Sequence, residues 1–323
     1  MHFKQLIRSG LLALLAGGSS QVAAQAWPAK PVRMVVGYSP AGAADVIARI
    51  VGDAMARALG QPVNVDNKPG AGSTLASDIL ARAPADGYTL GLATATLYGI
   101  DQHLYKVKYK PADFTAITRF TLSPLILAIN KDLGPKNVQE LVAYIRANPG
   151  KLNYSSSGIG GSPHIGGLTL ERLAGAKMIH IPFKGGAPAL QSVAAGDVQI
   201  SFGTAPSVLP LGQQGLVRMI AVSSAQRSAV APDLPTVAES GLPGFEFTFW
   251  FGLFGPAGLP REITDKLFAV ATKVLADPQV KARLLTGGNE AAPSRSPAEF
   301  HEWASADGRN SLDRIVQAGV KVE

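Results

Sequence analysis

The stretch Val35-Val36-Gly37-Tyr38-Ser39-Pro40-Ala41-Gly42-Ala43-Ala44-Asp45 contains the local pattern from which the fold of this 323-residue chain can be inferred. The apolar run Arg33-Met34-Val35-Val36 predicts a buried strand, and apolar residues three and four positions apart from Val46 to Ala58 predict a helix. Small residues fill most of the loop between them. Because the first N–H groups of a helix have no partner within it, Tyr38–Asp45 suits an anion such as a carboxylate.

Composition indicates a folded protein of one large or two ordinary domains. Hydrophobic residues make up 46% of the chain and charged residues 16%, which allows a substantial core. The absence of cysteine excludes disulfides, thiol catalysis and cysteine metal sites. The formal charge is +7, but the basic residues are dispersed and do not form the clusters typical of nucleic-acid binders. We therefore expect no nucleic-acid partner.

Residues 1–26 have the pattern of a secretory signal peptide. A basic start is followed by the apolar run Leu11–Ala16, and small residues allow cleavage after Ala26 or after Ala24. The apolar run is too short to span a bilayer. The alternative is a buried N-terminal helix. The signal predicts a periplasmic protein that does not insert into the membrane once the signal has been removed.

The order of predicted elements indicates two α/β lobes. Residues 32–93 alternate strand, helix, strand, helix, strand, which favours parallel strands with helical crossovers. Residues 94–121 are interpreted as mostly loop with short helices, and a long strand follows at 122–129. A second βα series and a second long strand, at 245–254, come next, and three helices complete the chain near 261–276, 278–286 and 297–317.

Two long strands, each after a βα series, predict two lobes joined by two crossing strands with a ligand cleft between them. The boundaries expected from this pattern are 27–124 plus 250–323 for lobe 1 and 125–249 for lobe 2. Such lobes close on a ligand by a hinge motion.

A second turn, Ser155–Ser162, resembles the first in composition and position. It follows a predicted strand and opens a helix that we expect Ser162 to cap, with Pro163 at the first helical position. Ligands of open α/β sheets sit at the carboxyl ends of strands, so the two turns are predicted to grip both ends of a dianion. Each hydrogen bond to a charged group contributes about 1.5–3 kcal/mol. The alternative is a pair of ordinary βα turns, which are also often rich in glycine and serine.

The catalytic motifs of the chain are incomplete. Gly37 and Gly42 have the glycine spacing of a phosphate loop, but Ala43-Ala44 occupy the positions of the required lysine and hydroxyl. No Gly-x-Gly-x-x-Gly follows a predicted strand. Ser156 or Ser157 with His164 suggests a hydrolase, yet the Gly-x-Ser-x-Gly elbow is missing. His164 is interpreted as a ligand-facing or packing residue.

The remaining polar candidates also favour binding. Asp45 in the first helical turn complements the helix dipole and is expected to tie down the loop. Lys184, beside Phe183, either pairs with an acidic ligand or is a solvated lysine. The other histidines lack metal-ligand spacing. We therefore predict a binding protein that is not an enzyme and that uses no cofactor or metal.

Several ordered blocks resemble the Bug family, the periplasmic solute-binding proteins of tripartite tricarboxylate transporters. The blocks extend over essentially the whole mature chain: Trp27-Pro28-x-Lys30-Pro31, Pro40-x-Gly42-x-x-Asp45, Leu59-Gly60-Gln61, Asn67–Gly72, Asp86–Leu90, Ser155–His164, Pro182–Gly186, Arg227-Ser228, Pro235–Gly241 and Trp250–Leu253. The resemblance implies a type II periplasmic binding fold that captures a small carboxylate and delivers it to a membrane permease.

The resemblance also implies a set of site residues. In the family, the turn at Ser39–Ala44 holds the ligand carboxylate through backbone N–H groups and water. The second turn, with side chains near Thr94 and Phe183, closes over the rest. The full predicted ligand-binding set is Tyr38, Ser39, Ala41, Gly42, Ala43, Asp45, Thr94, Ser157, Gly160, Ser162, His164, Phe183, Lys184 and Phe202.

Two departures from the family pattern fall where ligand choice is made. The family usually has an aromatic residue followed by Pro-Pro-Gly-Gly, whereas this chain has Tyr38-Ser39-Pro40-Ala41-Gly42-Ala43, in which Ser39 adds a hydroxyl and Ala43 slightly narrows the loop. Phe183 stands where tyrosine is common. Tyr38, Tyr98, Phe183 and Phe202 are expected to flank the turns, which favours a dicarboxylate or an aromatic carboxylate as the ligand. We expect a monomer whose partners are the ligand and the permease subunits. The alternatives are a sensor subunit for a signalling receptor and an exported serine hydrolase.

Overall fold

The computed structural model describes residues 27–40, 42–183 and 185–320, so the predicted signal peptide, Ala41 and Lys184 lie outside the described residues. The strands, in chain order, are β1 (Val32–Val36), β2 (Val63–Asn67), β3 (Thr89–Ala93), β4 (Phe114–Pro124), β5 (Ile126–Asn130), β6 (Asn153–Ser156), β7 (Ile179–Pro182), β8 (Ile200–Gly203), β9 (Val217–Val222) and β10 (Thr248–Pro256).

The α-helices are α1 (Ala43–Leu59), α2 (Thr74–Ala81), α3 (Ile100–Leu104), α4 (Val138–Ala147), α5 (Ser162–Ala174), α6 (Gly186–Ala195), α7 (Ala205–Gln213), α8 (Arg261–Ala276), α9 (Pro278–Thr286) and α10 (Pro297–Gln317). Short 3₁₀ segments lie at Ala71–Ser73, Ala95–Tyr98 and Pro111–Asp113. Within the described part of the chain, no helix has both the length and the apolar character needed to cross a membrane.

The strands form two sheets, with orders β2-β1-β3-β10-β4 and β7-β6-β8-β5-β9. In the first sheet β1 runs parallel to β2 and β3, as the βα alternation predicts. In the second sheet β6 runs parallel to β7 and β8. The helix α1 buries Ile47, Val51 and Met55, which lie four residues apart, against the first sheet. Burying each such side chain contributes about 1.5–3 kcal/mol.

The interpretation of residues 94–121 as mostly loop is wrong for 114–121, which belong to β4. The strand β4 pairs antiparallel with β10, from Pro124 opposite Thr248 to Phe114 opposite Pro256. The predicted long strand at 122–129 is in fact the end of β4 and nearly all of β5, separated by Leu125. Both errors have one cause: the partner of β4 lies more than a hundred residues away, so local pattern does not reveal the pairing.

Ser223 hydrogen-bonds both of the segments that connect the two sheets. Its Oγ accepts the Leu125 N–H at 2.8 Å and donates to the Phe247 carbonyl at 2.5 Å. Its backbone N–H and carbonyl bond the same two residues, at 2.9 Å and 2.8 Å. Leu125 connects β4 to β5, and Phe247 leads into β10, so one fully buried serine joins both crossings. Ser223 therefore holds the two crossings against each other.

Candidate ligand-binding cleft

The first turn lies between β1 and α1, as predicted. Gly42 is the N-cap of α1, and no side chain of the described residues caps it by a hydrogen bond. Ser39 and Gly42 are exposed, and Ala43 is half-buried. The turn thus presents small residues and a helix N-terminus to its surroundings, a suitable arrangement for an anion.

Asp45 is buried, and its ion pair with Arg49 stabilises this turn. Its carboxylate pairs with the Arg49 guanidinium at 2.9 Å and 3.0 Å. Arg49 also donates to Asn67 Oδ1 at 3.2 Å, and Asn67 Nδ2 donates to the Tyr38 carbonyl at 3.0 Å. This chain of bonds supports the tie-down role that the sequence predicted for Asp45. The side chain is engaged by Arg49 within helix α1.

The Tyr38 phenol lies at the base of the turn. Burial raises its pKa to about 12, and hydrogen bonds with the Thr94 and Ser73 hydroxyls offset part of that rise. The ring packs edge-on against Phe251, with centroids 5.7 Å apart. Tyr38 therefore remains a neutral hydroxyl group, linked to the end of β3 through Thr94.

Ser73 is a residue of the site that sequence reasoning missed. A Cβ at Gly37 would lie 2.1 Å from Ser73 Oγ, so only glycine fits at position 37, where the first turn meets the turn that contains Ser73. Ser73 and Ala71 have left-handed backbone, with φ of 83° and 43°. Such residues store about 1–3 kcal/mol of strain each and cluster at functional sites. The signal lies in the Asn67–Gly72 block, whose pattern by itself indicates only a turn.

The second turn joins β6 to α5 and differs from the prediction in its cap. Gly161 is the N-cap, with extended backbone (φ −70°, ψ 162°), so the prediction that Ser162 caps the helix is wrong. Ser162 is already the first helical residue, and Pro163 follows it within the first two positions of the helix. The Ser162 side chain is therefore available to line the interlobe cavity described below.

Hydrogen bonds within the second turn occupy several of its N–H groups. Gly158 donates to Ser156 Oγ at 3.1 Å, and Gly160 donates to His164 Nδ1 at 3.0 Å. Gly160 also lies where the lobes meet, because a Cβ there would be 2.5 Å from Leu104 Cδ1. Gly160 therefore allows the two lobes to approach each other closely. Its N–H group is already hydrogen-bonded to His164 and is not free to bind a ligand.

His164 acts as a packing residue that shapes this turn. It is only 2% exposed, and its ring stacks on His180 with centroids 3.8 Å apart and an interplanar angle of 6°. Burial, with a smaller effect of His180, lowers the pKa of His164 to about 3, and burial lowers the pKa of His180 to about 4. Both rings are neutral at pH 7. Sequence reasoning missed the pair because it depends on the packing of α5 against β7.

Among the described residues, no hydrogen bond joins His164 to Ser156 or Ser157, the serines of the hydrolase alternative. Ser156 Oγ lies 2.7 Å from His180 Nε2, and Ser156 is fully buried. His164 was the predicted base, but its Nδ1 accepts the Gly160 N–H. The serine and histidine that the sequence paired therefore do not form a nucleophile–base pair.

A small cavity at the inner end of the cleft joins the two lobes. Thr94, Thr96 and Ile100 line it from the first lobe, and Gly160 and Ser162 from the second. Its volume is about 20 Å³, room for about one water molecule. An organic acid must therefore bind on the outer side of this cavity or separate the lobes.

Two aromatic residues predicted to flank the ligand lie in the core instead. Phe202 is 1% exposed and stacks on Phe245 at 5.5 Å. Tyr98 is buried against Phe254, with centroids 6.3 Å apart. The strand β8 is buried along its whole length, and Tyr98 packs against α10, which accounts for these positions. Phe183, by contrast, is half-buried beside the second turn and donates its N–H to the Ser156 carbonyl at 2.9 Å.

Asp101 is a buried carboxyl group behind the cleft wall that the sequence did not suggest. It is 1% exposed and accepts the Tyr109 hydroxyl at 2.7 Å. Burial raises the pKa of Asp101 to about 6, although hydrogen bonds from Tyr109 and Thr96 act in the opposite direction. Thr96 also lines the small cavity, so Asp101 is separated from the cleft by the side chain of Thr96. Among the described residues, no group of three or more histidine or acidic side chains could hold a metal ion.

Comparison with known proteins identifies the family. A family model described as "Tripartite tricarboxylate transporter family receptor" matches residues 47–317. The chain belongs to this receptor family. BugT of Bordetella pertussis is a relative, 32% identical over 258 residues that cover 79% of each protein. The resemblance to the Bug family is thereby confirmed.

Solved structures of this receptor family have the same two-lobed α/β periplasmic binding fold. The R. palustris protein Rpa4515, solved with adipate, superposes with a TM-score of 0.84 at 30% identity and covers 92% of this chain and 100% of its own. MatC from Rhodopseudomonas palustris, solved with bound malate, has a TM-score of 0.79 at 32% identity and covers 90% and 100%. The predicted fold class is confirmed.

Proposed function

We propose that this receptor binds a small dicarboxylate in the cleft between its lobes and delivers it to the permease of a tripartite tricarboxylate transporter. Family membership supports the receptor role. Adipate and malate are both dicarboxylates, and structures of two proteins similar to this chain contain them. The predicted signal peptide supports a periplasmic location, and we infer that the mature receptor acts as a monomer.

One observation carries the site assignment: Thr94 lies between the two turns. Its hydroxyl interacts with the Tyr38 phenol of the first turn and lowers the pKa of that phenol. The same residue lines the small cavity together with Gly160 and Ser162 of the second turn. An acid above Thr94 would therefore have a helix N-terminus at each end, from α1 and from α5.

The charge distribution favours recognition by backbone N–H groups. The nearby guanidinium of Arg49 is paired with the buried Asp45. We propose that the N–H groups at the start of α1, from Ala43 to Asp45, bind one carboxylate, while Ser157, Ser162 and Phe183 enclose the other end. With Phe202 and Tyr98 in the core, Tyr38 and Phe183 are the remaining aromatic residues of the predicted set, which favours an aliphatic over an aromatic acid.

The test removes one N–H group without breaking the helix. Proline is well tolerated at the first helical position, and the extended Gly42 before it (φ −77°, ψ 168°) accepts a following proline. We expect Ala43→Pro to retain the fold but to weaken dicarboxylate binding about 10- to 150-fold, the effect of one charged hydrogen bond of about 1.5–3 kcal/mol. Ala43→Gly retains the N–H and is the matched control.

The ligand class is identified first by a thermal-shift screen of aliphatic dicarboxylates against their diamides, followed by calorimetry on the best acid. A ligand at one hundred times its dissociation constant adds about 2.7 kcal/mol of stability, which is readily detected. Stabilisation by diamides or amines alone would refute carboxylate recognition. Equal affinity of Ala43→Pro and Ala43→Gly would refute the assignment to the α1 N-terminus. Loss of uptake on deleting the permease genes separates transport from a purely sensory role.

A further inference from the structure

A second cavity lies on the surface between the C-terminal ends of α5 and α10. Its volume is about 390 Å³, far larger than the one at the cleft floor. The helix α5 packs on β6 and β8 of the second sheet, whereas α10 packs on β4 of the first. Elements of both lobes therefore build this groove.

Three cationic side chains line the groove: Arg172 and Lys177 from the second lobe, and Arg314 from α10. None of them has a carboxylate oxygen within 4.0 Å among the described residues. Arg314 is half-buried, with its guanidinium 5.8 Å from the centroid of the Phe247 ring. Its position is thus fixed by packing, while its charge faces the groove.

The guanidinium groups of Arg172 and Arg314 line the same groove, and their like charges oppose each other. Burial lowers the pKa of Arg314, the Asp307 carboxylate opposes this effect, and the charge of Arg172 lowers the pKa further. Asp307 itself is occupied by the Trp250 indole N–H at 2.8 Å. The C-terminal end of each helix favours a cation by itself, but this does not explain why cations from different lobes share one cavity.

One acidic residue, Glu171, lines the groove and counts against an anion. It is buried, and its Oε1 accepts the Met178 N–H at 2.6 Å. Burial raises the pKa of Glu171, with the Met178 N–H and Lys177 acting in the opposite direction. The lining therefore carries three cations against one carboxylate, while the Asp307 and Glu246 carboxylates act on Arg314 from outside the lining.

We propose that this groove binds a small polyvalent oxyanion, with inorganic phosphate as the probe, between Arg172 and Arg314, and thereby favours the closed arrangement of the lobes. Guanidinium groups bind phosphate oxygens in a bidentate manner, so one anion bridges the two side chains and relieves their repulsion. An anion that needs both lobes binds the closed form more tightly and so shifts the population towards it. The site is separate from the carboxylate cleft, so phosphate binding can be measured with the cleft empty.

The binding test is a thermal titration with inorganic phosphate at constant ionic strength, with sodium chloride as the comparison. We expect a saturable rise in melting temperature with phosphate. Arg172→Gln and Arg314→Gln should each weaken phosphate binding about tenfold or more, since each removes a charged bond. Arg172 is exposed, so its variant keeps the test valid if Arg314→Gln folds poorly. Arg261→Gln, at an exposed arginine on α8, is the matched control and should bind normally.

The closure test uses spin labels, which the cysteine-free chain allows at chosen positions. Cysteines at Tyr144 on α4 and Leu285 on α9 place one exposed label on each lobe. Without any carboxylate, phosphate should increase the population with the closed interlabel distance, and Arg172→Gln should abolish the increase. An equal thermal shift with chloride, or a shift that survives both arginine substitutions, would overturn the site. A saturable shift with an unchanged distance distribution would overturn the effect on closure.

Discussion

Gly160→Ala is the substitution that most sharply separates lobe closure from folding. Gly160 has φ of +77°, and an added Cβ would lie 2.5 Å from Leu104 Cδ1 and 3.2 Å from Ile100 Cγ2 across the cleft. Alanine costs about 1–2 kcal/mol at a left-handed position wherever it occurs. The clash adds about 1–3 kcal/mol that applies only when the lobes are closed. We therefore expect ligand affinity to fall about 5- to 150-fold.

The assay compares Gly160→Ala with Gly215→Ala by urea unfolding and by calorimetry with the best dicarboxylate. Gly215 has φ of +67°, and nothing lies within 4 Å of the point that an added Cβ would occupy, so it shares the backbone strain without the clash. Both variants should lose similar unfolding stability, and only Gly160→Ala should lose affinity. If the two variants bind equally well, Gly160 does not act at a closing contact and the reasoning fails.

Three further predictions concern titratable groups and ligand choice. The folded pKa values of His164 and His180, about 3 and 4, lie below the ordinary value of 6.5. The stability that the neutral rings contribute to the fold is therefore complete above pH 6.5 and is lost as the pH falls towards 3. For His164 alone, the free energy of unfolding falls by about 2 kcal/mol at pH 5. Urea unfolding at pH 7 and 5 should show a smaller loss in His180→Phe, and an undiminished loss would contradict the assignment. The folded pKa of Asp101, about 6, lies above the ordinary value of 3.8, so ionised Asp101 lowers the free energy of unfolding by up to about 3 kcal/mol at pH 7, and protonated Asp101 does not lower it. Asp101→Asn should therefore raise stability more at pH 7 than at pH 4. A stability difference that does not change with pH would contradict the raised pKa of Asp101. Ser39→Pro removes an exposed hydroxyl from the first turn and should change the ranking of dicarboxylates in a thermal-shift panel, whereas an unchanged ranking would mean that the loop positions the acid without selecting it.

Sequence reasoning performed best where structure is local. The β1 strand, the small-residue turn and the buried face of α1 follow from the spacing of apolar residues over some twenty positions. The βα alternation likewise predicts the parallel pairing of β1 with β2 and β3. These features require no information about distant parts of the chain.

Features that depend on long-range pairing were not predictable in this way. The strand β4 forms along β10, and the stack of His164 on His180 exists because α5 packs against β7. The contact of Ser73 with Gly37 depends on two separate turns meeting. The N-cap of α5 also lies one residue earlier than predicted, because Gly161 adopts the extended backbone that was expected for Ser162.

The candidate site was therefore predicted in outline, and the structure refines the roles within it. Both turns lie at the starts of helices, but Asp45 and His164 support their turns through Arg49 and Gly160. Phe202 supports the second lobe from its core. Residue type alone does not tell a side chain that holds a turn from one that faces a ligand.

The most direct test of the account is a crystal structure with the best dicarboxylate bound. We expect one carboxylate within about 2.7–3.2 Å, the usual hydrogen-bond range, of backbone N–H groups at the start of α1, and the other end enclosed by the second turn. A dicarboxylate bound outside the cleft, or held in it with neither carboxylate at a helix N-terminus, would contradict the central claim.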